Sequence, residues 1–193
     1  MFEGLDQTSI ICIILILLAP IVWNGIARLE YSTKLLSYIF GNNVKACYFL
    51  ASVITIVSRT RDLIFFIVVL RNKNEFFIPF NLNYYFGSTL FVLGLLFVIT
   101  SIHKLGFLCT HMGDHFGIYL DAKVTSFPFN ILENPMYMGS AIAMFGVAVF
   151  FKSFIGIKLA MFTFVIYNLF SKLYEENFTN KIYQERMNKE KIM

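Results

Sequence analysis

Three short polar stretches interrupt an otherwise apolar chain, and they hold most of its candidate chemistry. The first, HMGDHFGIYLDAK (residues 111–123), carries Asp114 among glycines and histidines. The second, SFPFNILENPMYMGS (residues 126–140), carries Glu133, Asn134, Pro135, Tyr137 and Gly139. The third, LYEENF (residues 173–178), places Glu175 beside Glu176. Adjacent carboxylates at the mouth of an apolar helix are costly to bury together. Negative charge at a helix C-terminus also opposes the macrodipole, by roughly a few tenths of a kcal/mol. Such a pair suits a site that holds a cation; the plain alternative is the wet end of a membrane helix. In the second stretch, Asn134 reads as an N-cap and Pro135 as the first helical residue. That reading accounts for those two residues and leaves Tyr137 and Gly139 unexplained. Asp121 fits an ordinary loop or cap.

Other chemistries find no support. A soluble nucleotide-binding enzyme needs a glycine-rich turn between a strand and a helix, and the 11 glycines here are dispersed. No Ser-His-Asp order and no H-E-x-x-H occurs. His103, His111 and His115 lack further ligands and read as solvated residues rather than a metal site. Cys12, Cys47 and Cys109 have no metal-ligand spacing and read as small apolar residues, with no disulfide framework. The net charge of +4 is scattered, which argues against nucleic acid and fits an anionic membrane surface.

These residues must be positioned by membrane helices. The 193 residues are 58% hydrophobic and 15% charged, against about 25% charged in an average soluble domain. The 23 phenylalanines are spread throughout and read mostly as lipid-facing surface. Apolar runs without barrel alternation predict helices, because backbone in hydrocarbon must pair within its own segment. The expected architecture is all-α: one domain over residues 1–193, a polytopic bundle of four to five membrane-embedded helices with no Rossmann domain. The segments fall at about residues 10–24, 44–64, 86–106, 137–151 and 155–174. The first contains Pro20, so it either spans or re-enters one leaflet. Arg59, Arg61 and Asp62 interrupt the second, which is expected to end near Arg61 at the membrane surface. The last two form a hairpin ending near Tyr174, followed by an interfacial tail over residues 175–193. Clustered Lys and Arg place that tail and the Pro79-containing loop (residues 71–85) in the cytosol. The acidic N-terminus does not resemble a secretory signal, so the first segment is expected to stay attached. Lys189 and Lys191 have the spacing of a dilysine retrieval signal.

The three stretches, in this order, resemble the phosphatidylethanolamine N-methyltransferase family over nearly the whole chain. The likeness rests on GDHFGI, VTSFPFNILENPMYMGS and LYEENFTNKIY, and further on WNGIARLEYSTKLLSYIFGN and KACYFL. A lone N-P-x-Y-x-G is weak; the long run over residues 124–140 together with Glu175 and Glu176 is specific. The resemblance implies a multi-pass enzyme of the endoplasmic reticulum membrane, and also of a mitochondrial membrane. It implies that S-adenosyl-L-methionine donates methyl groups to phosphatidylethanolamine-type lipids, giving phosphatidylcholine, without metal or nucleic acid. It assigns the cofactor to Glu175 and Glu176, to the Asn134, Pro135 and Gly139 segment, and to a G-x-G in the third helix. That G-x-G falls on Val92, Leu93 and Gly94, so its first glycine is absent and Gly94 is left as the close-approach point. Asp114 belongs to the family pattern and His111 and His115 do not. Asp114 is then a candidate base or ammonium anchor, Tyr137 an orienting group, and Glu133 an attractor of the ammonium. Two other readings are a membrane methyltransferase acting on a prenyl-cysteine carboxylate or other lipophilic acceptor, and a non-enzymatic scaffold or transporter subunit.

Overall fold

The computed structural model describes residues 6–74, 76, 81–122 and 124–192, with side chains as far as Asn188. The described residues form helices and turns with no strand. The Pro79 loop region and the Lys189 and Lys191 side chains lie outside what is described.

The first apolar run is one helix, α1 (Gln7–Thr33), started by Asp6, whose side chain accepts from the Ser9 amide. Pro20 sits inside it, and its carbonyl accepts from Asn24 Nδ2 at 2.9 Å. With 27 residues, α1 is long and apolar enough to cross a bilayer. Lys34, in a left-handed conformation, turns the chain into the short α2 (Leu35–Ile39). The buried Glu30 carboxylate accepts from the Leu36 and Ser37 amides and the Ser37 hydroxyl there.

Helix α3 (Asn43–Arg71) begins at Asn42, which caps the Val44 and Lys45 amides. It does not end near Arg61. It continues for ten more residues, because Arg61 turns inward and pairs with Asp62 instead of marking a surface. α4 (Leu82–Leu105) is followed by α5 (Phe107–Thr110) and a 3₁₀ turn, Gly113–Phe116, closed by Gly117 at φ 79°. The Phe127–Pro128 bond is cis. α6 (Pro135–Phe150) starts with proline at its first turn, as expected. Asn134 occupies the cap position without a side-chain cap bond; its backbone, at φ −127° and ψ 71°, departs from the extended geometry of a working N-cap, and Asn134 lines the cavity described below.

α6 and α7 (Phe154–Phe170) form the expected hairpin, with buried Ser153 accepting from the Gly156 amide at 3.1 Å. The helix does not stop near Tyr174. It passes through a π-helical turn, Ser171–Glu176, into α8 (Asn177–Ile192), and Phe154–Asn188 is long and apolar enough to span. α4 is the third helix of that kind, while α6 is apolar but shorter.

α4 and α6 share the most extensive pairing in the bundle. Gly87 and Gly94 on α4 face Gly146 and Gly139 on α6, each pair two turns apart. A Cβ on Gly94 would lie 2.5 Å from the Ala143 nitrogen and the Gly139 oxygen. Small residues let membrane helices approach to backbone contact, where dispersion and weak polar contacts replace the missing hydrophobic drive. Buried side chains gather in two clusters. One joins Cys12, Ile16, Phe65, Val68 and Leu159; the other joins Trp23, Ala27, Cys47, Leu50 and Phe116. Cys12 and Cys47 thus sit in the core as free thiols, while Phe49, Phe86 and Phe154 face outward.

Candidate active site

A cavity of about 560 Å³ lies among α1, α3, the 3₁₀ turn, the start of α6 and the π turn. This volume falls within the roughly 300–1,000 Å³ of small-molecule sites. The three polar stretches meet here: Asp114, Glu133, Asn134, Pro135, Tyr137, Glu175 and Glu176 all line it.

The π turn presents the glutamates. A π turn inserts an extra residue per turn and loosens the backbone ladder, a feature that recurs at functional sites. The Tyr174 carbonyl in this turn accepts from the Arg28 guanidinium at 2.6 Å, whose plane also lies 4.7 Å from the Phe178 ring centroid. Glu175 Oε1 accepts from the Tyr137 hydroxyl at 2.7 Å and from Asn24 Nδ2 at 2.9 Å. One carboxylate oxygen therefore ties α1, α6 and the π turn together. Trp23 lines the cavity with Tyr137. Glu176 is exposed at the cavity edge, as is Glu133, which lies 3.8 Å from Lys172 Nζ.

Asp114 is held differently. Its Oδ1 faces His115 Nδ1 at 2.8 Å and accepts from the His115 amide at 3.0 Å, and its Oδ2 accepts from the Thr179 hydroxyl at 3.0 Å. Burial by itself pushes the carboxyl up, but the hydrogen bond and charge of His115, with the Thr179 bond, outweigh it. The group is held below its ordinary 3.8. The carboxylate is the favoured form in the fold, so its stabilisation is complete above pH 3.8 and is lost as pH falls through the lower folded value. Thermal unfolding of the protein in detergent from about pH 6 to about pH 3 will show acid destabilisation that is smaller in Asp114→Asn; equal slopes would remove Asp114 as its source.

His111 and His115 are not solvated. Both are buried: His111 Nδ1 bonds the Phe107 carbonyl at 2.7 Å, and His115 stacks on Phe178 at 5.1 Å between centroids. Burial pushes His111 below its ordinary 6.5. His103 is exposed. Among the described residues no group of three metal-ligating side chains occurs.

The Gly94 segment lies apart from the cavity lining. Val92 and Leu93 are exposed on the outer face of α4, Gly94 packs on α6, and Gly139 contacts Gly94 from the other side. Trp23, Asn24, Arg61 and Tyr167 line or brace the site and were not assigned to it from sequence. Only Arg61 left a signal, as a charge inside an apolar run.

Four carboxylates, with hydroxyl and indole neighbours and two guanidiniums, thus line one cavity sunk among apolar helices. Residues 82–186 match the family described as phospholipid methyltransferase. The chain is 37% identical over 184 residues to human phosphatidylethanolamine N-methyltransferase, covering 95% of this chain and 92% of that protein. It is 39% identical over 167 residues to an Emericella nidulans phosphatidyl-N-methylethanolamine N-methyltransferase, covering 86% and 81%. The Schizosaccharomyces pombe enzyme of the latter name is 35% identical over 187 residues, covering 96% and 95%. No solved structure matches significantly. A family match over more than half of the chain, and relatives aligned nearly end to end, agree with the helical bundle and its carboxylate-lined cavity: this chain belongs to the phospholipid methyltransferase family.

Proposed function

We propose that this methyltransferase N-methylates phosphatidylethanolamine, its mono- and dimethyl derivatives, or both, toward phosphatidylcholine, with S-adenosylmethionine as donor. The observation that carries the reading is the convergence of Asp114, Tyr137 and Glu175 on one cavity, in a chain whose relatives bear both phosphatidylethanolamine and phosphatidyl-N-methylethanolamine methyltransferase names.

The residues present fit this cofactor. When bound, S-adenosylmethionine supplies an electrophilic methyl on a sulfonium, alongside an ammonium. Glu175, fixed by Tyr137 and Asn24, and Glu176 beside it offer negative charge to those cations. Methyl transfer to nitrogen is an in-line displacement, so the protein's main contribution is alignment. The rigid start of α6, with Pro135 in its first turn, fixes where Tyr137 points. Asp114, held as a carboxylate, anchors the head-group ammonium. The nitrogen attacks only after its proton has passed to solvent at the cavity mouth, because a depressed carboxyl is too weak a base to hold it. Glu133, at the rim, draws the ammonium inward. Gly94 and Gly139 act at one remove, by holding α4 against α6.

The bundle corrects one expectation. Arg71 pairs with Asp6 at the start of α1, whereas Arg28 and Tyr31 near the other end of α1 meet Tyr174 and Glu185. The end of α3 and the tail therefore lie at opposite ends and do not share one side; the tail is assigned to the cytosolic side of the endoplasmic reticulum. The deciding experiment supplies membranes containing the protein with labelled S-adenosylmethionine and each methylation intermediate in turn, and resolves the lipid products. Label in mono-, di- and trimethylated phosphatidylethanolamine is expected; label confined to a prenyl-cysteine carboxylate would replace this reading.

A further inference from the structure

The cavity holds charge of both signs, and the cationic part has no role in the reading above. Arg59 and Arg61 line it from the middle of α3. Burying a guanidinium, as at Arg61, is expensive, and such a charge is retained where it serves a ligand or a partner. The Arg61 side chain is 5% exposed and bonds Asp62 through Nε and one terminal nitrogen, at 3.1 and 2.6 Å. Asp62 also pairs with Arg59 at 3.2 Å, and the Arg59 side chain is 67% exposed. Two guanidiniums against one carboxylate leave a net positive charge facing the cavity.

A second observation points the same way. Tyr167 lines the cavity, is 3% exposed, and its hydroxyl is buried without a hydrogen-bond partner. Arg61 lies 5.3 Å from its ring centroid. The Tyr167 ring lies 4.9 Å from that of Tyr137, whose hydroxyl reaches Glu175. An unsatisfied buried hydroxyl is costly unless a ligand completes it. Cation and anion sites are thus joined through two neighbouring tyrosines.

We propose that Arg61, with Arg59 at the mouth and the Tyr167 hydroxyl, forms an anion subsite that takes the phosphodiester of the acceptor lipid. The guanidinium fork matches phosphate oxygens bidentately. Held there, the phosphodiester leaves the amine two carbons away, toward the carboxylates. This inference rests on the proposed lipid reaction and would recognise the same anionic chemistry in the cofactor's carboxylate, so the test separates the two.

Initial rates of the purified full chain in mixed micelles would be measured with phosphatidyl-N-methylethanolamine and S-adenosylmethionine varied separately. Arg61→Gln should raise the lipid KM about ten- to a hundred-fold, with the S-adenosylmethionine KM changed less than about twofold. Arg61→Lys should recover only part of this. Thermal stabilisation by S-adenosylhomocysteine checks folding. Should Arg61→Gln fail that check, Arg59→Gln, altered at an exposed side chain, carries the test with a rise of about three- to ten-fold. A diacylglycerol ether with the same methylaminoethyl group but no phosphate should be a poorer acceptor for the wild type and nearly equal for Arg61→Gln. A rise in the S-adenosylmethionine KM instead would assign the anion to the cofactor, and unchanged lipid KM would leave a structural ion pair; either overturns the proposal. Failure of the lipid reaction itself would show in the wild type, before any variant.

Discussion

Glu175→Gln is expected to raise the KM for S-adenosylmethionine about ten- to a hundred-fold, with little change in expression or in the lipid KM. Glutamine keeps the shape and one acceptor oxygen, so the Tyr137 and Asn24 bonds at 2.7 and 2.9 Å have a partner still. What disappears is the charge. A hydrogen bond to a charged group is worth about 1.5–3 kcal/mol, and a cation facing a neutral amide loses that. Glu176→Gln should lose less, because Glu176 is exposed at the edge of the cavity and solvent screens its charge. Kinetics with each substrate varied, together with S-adenosylhomocysteine binding, decide it. Equal losses for the two glutamates would mean that the fixed Glu175 contact has no special part, and an unchanged cofactor KM in Glu175→Gln would sink the assignment.

Gly94→Val should abolish folded protein rather than cofactor affinity. The added Cβ would meet backbone, 2.5 Å from both the Ala143 nitrogen and the Gly139 oxygen. Backbone cannot rotate away as a side-chain tip can, so α4 must shift off α6 along their whole pairing. Overpacking costs about 1–3 kcal/mol in soluble cores and sometimes more, and a displaced helix lies at the upper end. Gly25→Ala is the control: it sits in α1 with nothing within 4 Å of its added Cβ, and should leave stability unchanged or slightly higher. Thermal unfolding in detergent, read beside S-adenosylhomocysteine binding, separates the roles. Normal stability with weakened cofactor binding would return Gly94 to a direct cofactor contact.

The residues that meet in the cavity were legible as three polar stretches, because polar groups beside lipid have few reasons to exist. Their helices were legible too, since hydrocarbon forces apolar segments to close their own hydrogen bonds. The N-cap at Asn134 was right in position and wrong in mechanism, for capping depends on backbone angles that residue type does not set. Arg61 shows the larger difficulty. In a membrane bundle the lipid face and the packed face are both apolar, so hydropathy does not say which way a helix side turns. The sequence marked Arg61 as an expensive charge; only the packing of α3 turned it inward, beside Asp62 and Tyr167. Gly94 went the other way, from an expected ligand contact to a helix contact, because its neighbours Ala143 and Gly139 lie on another helix. The Asn24–Glu175 bond spans 151 residues, and no local pattern encodes such a pairing. The sequence by itself determined an all-helical membrane protein and the side chains available for its chemistry. The tertiary structure decided which of them share a cavity, since that depends on how helices distant in sequence pack.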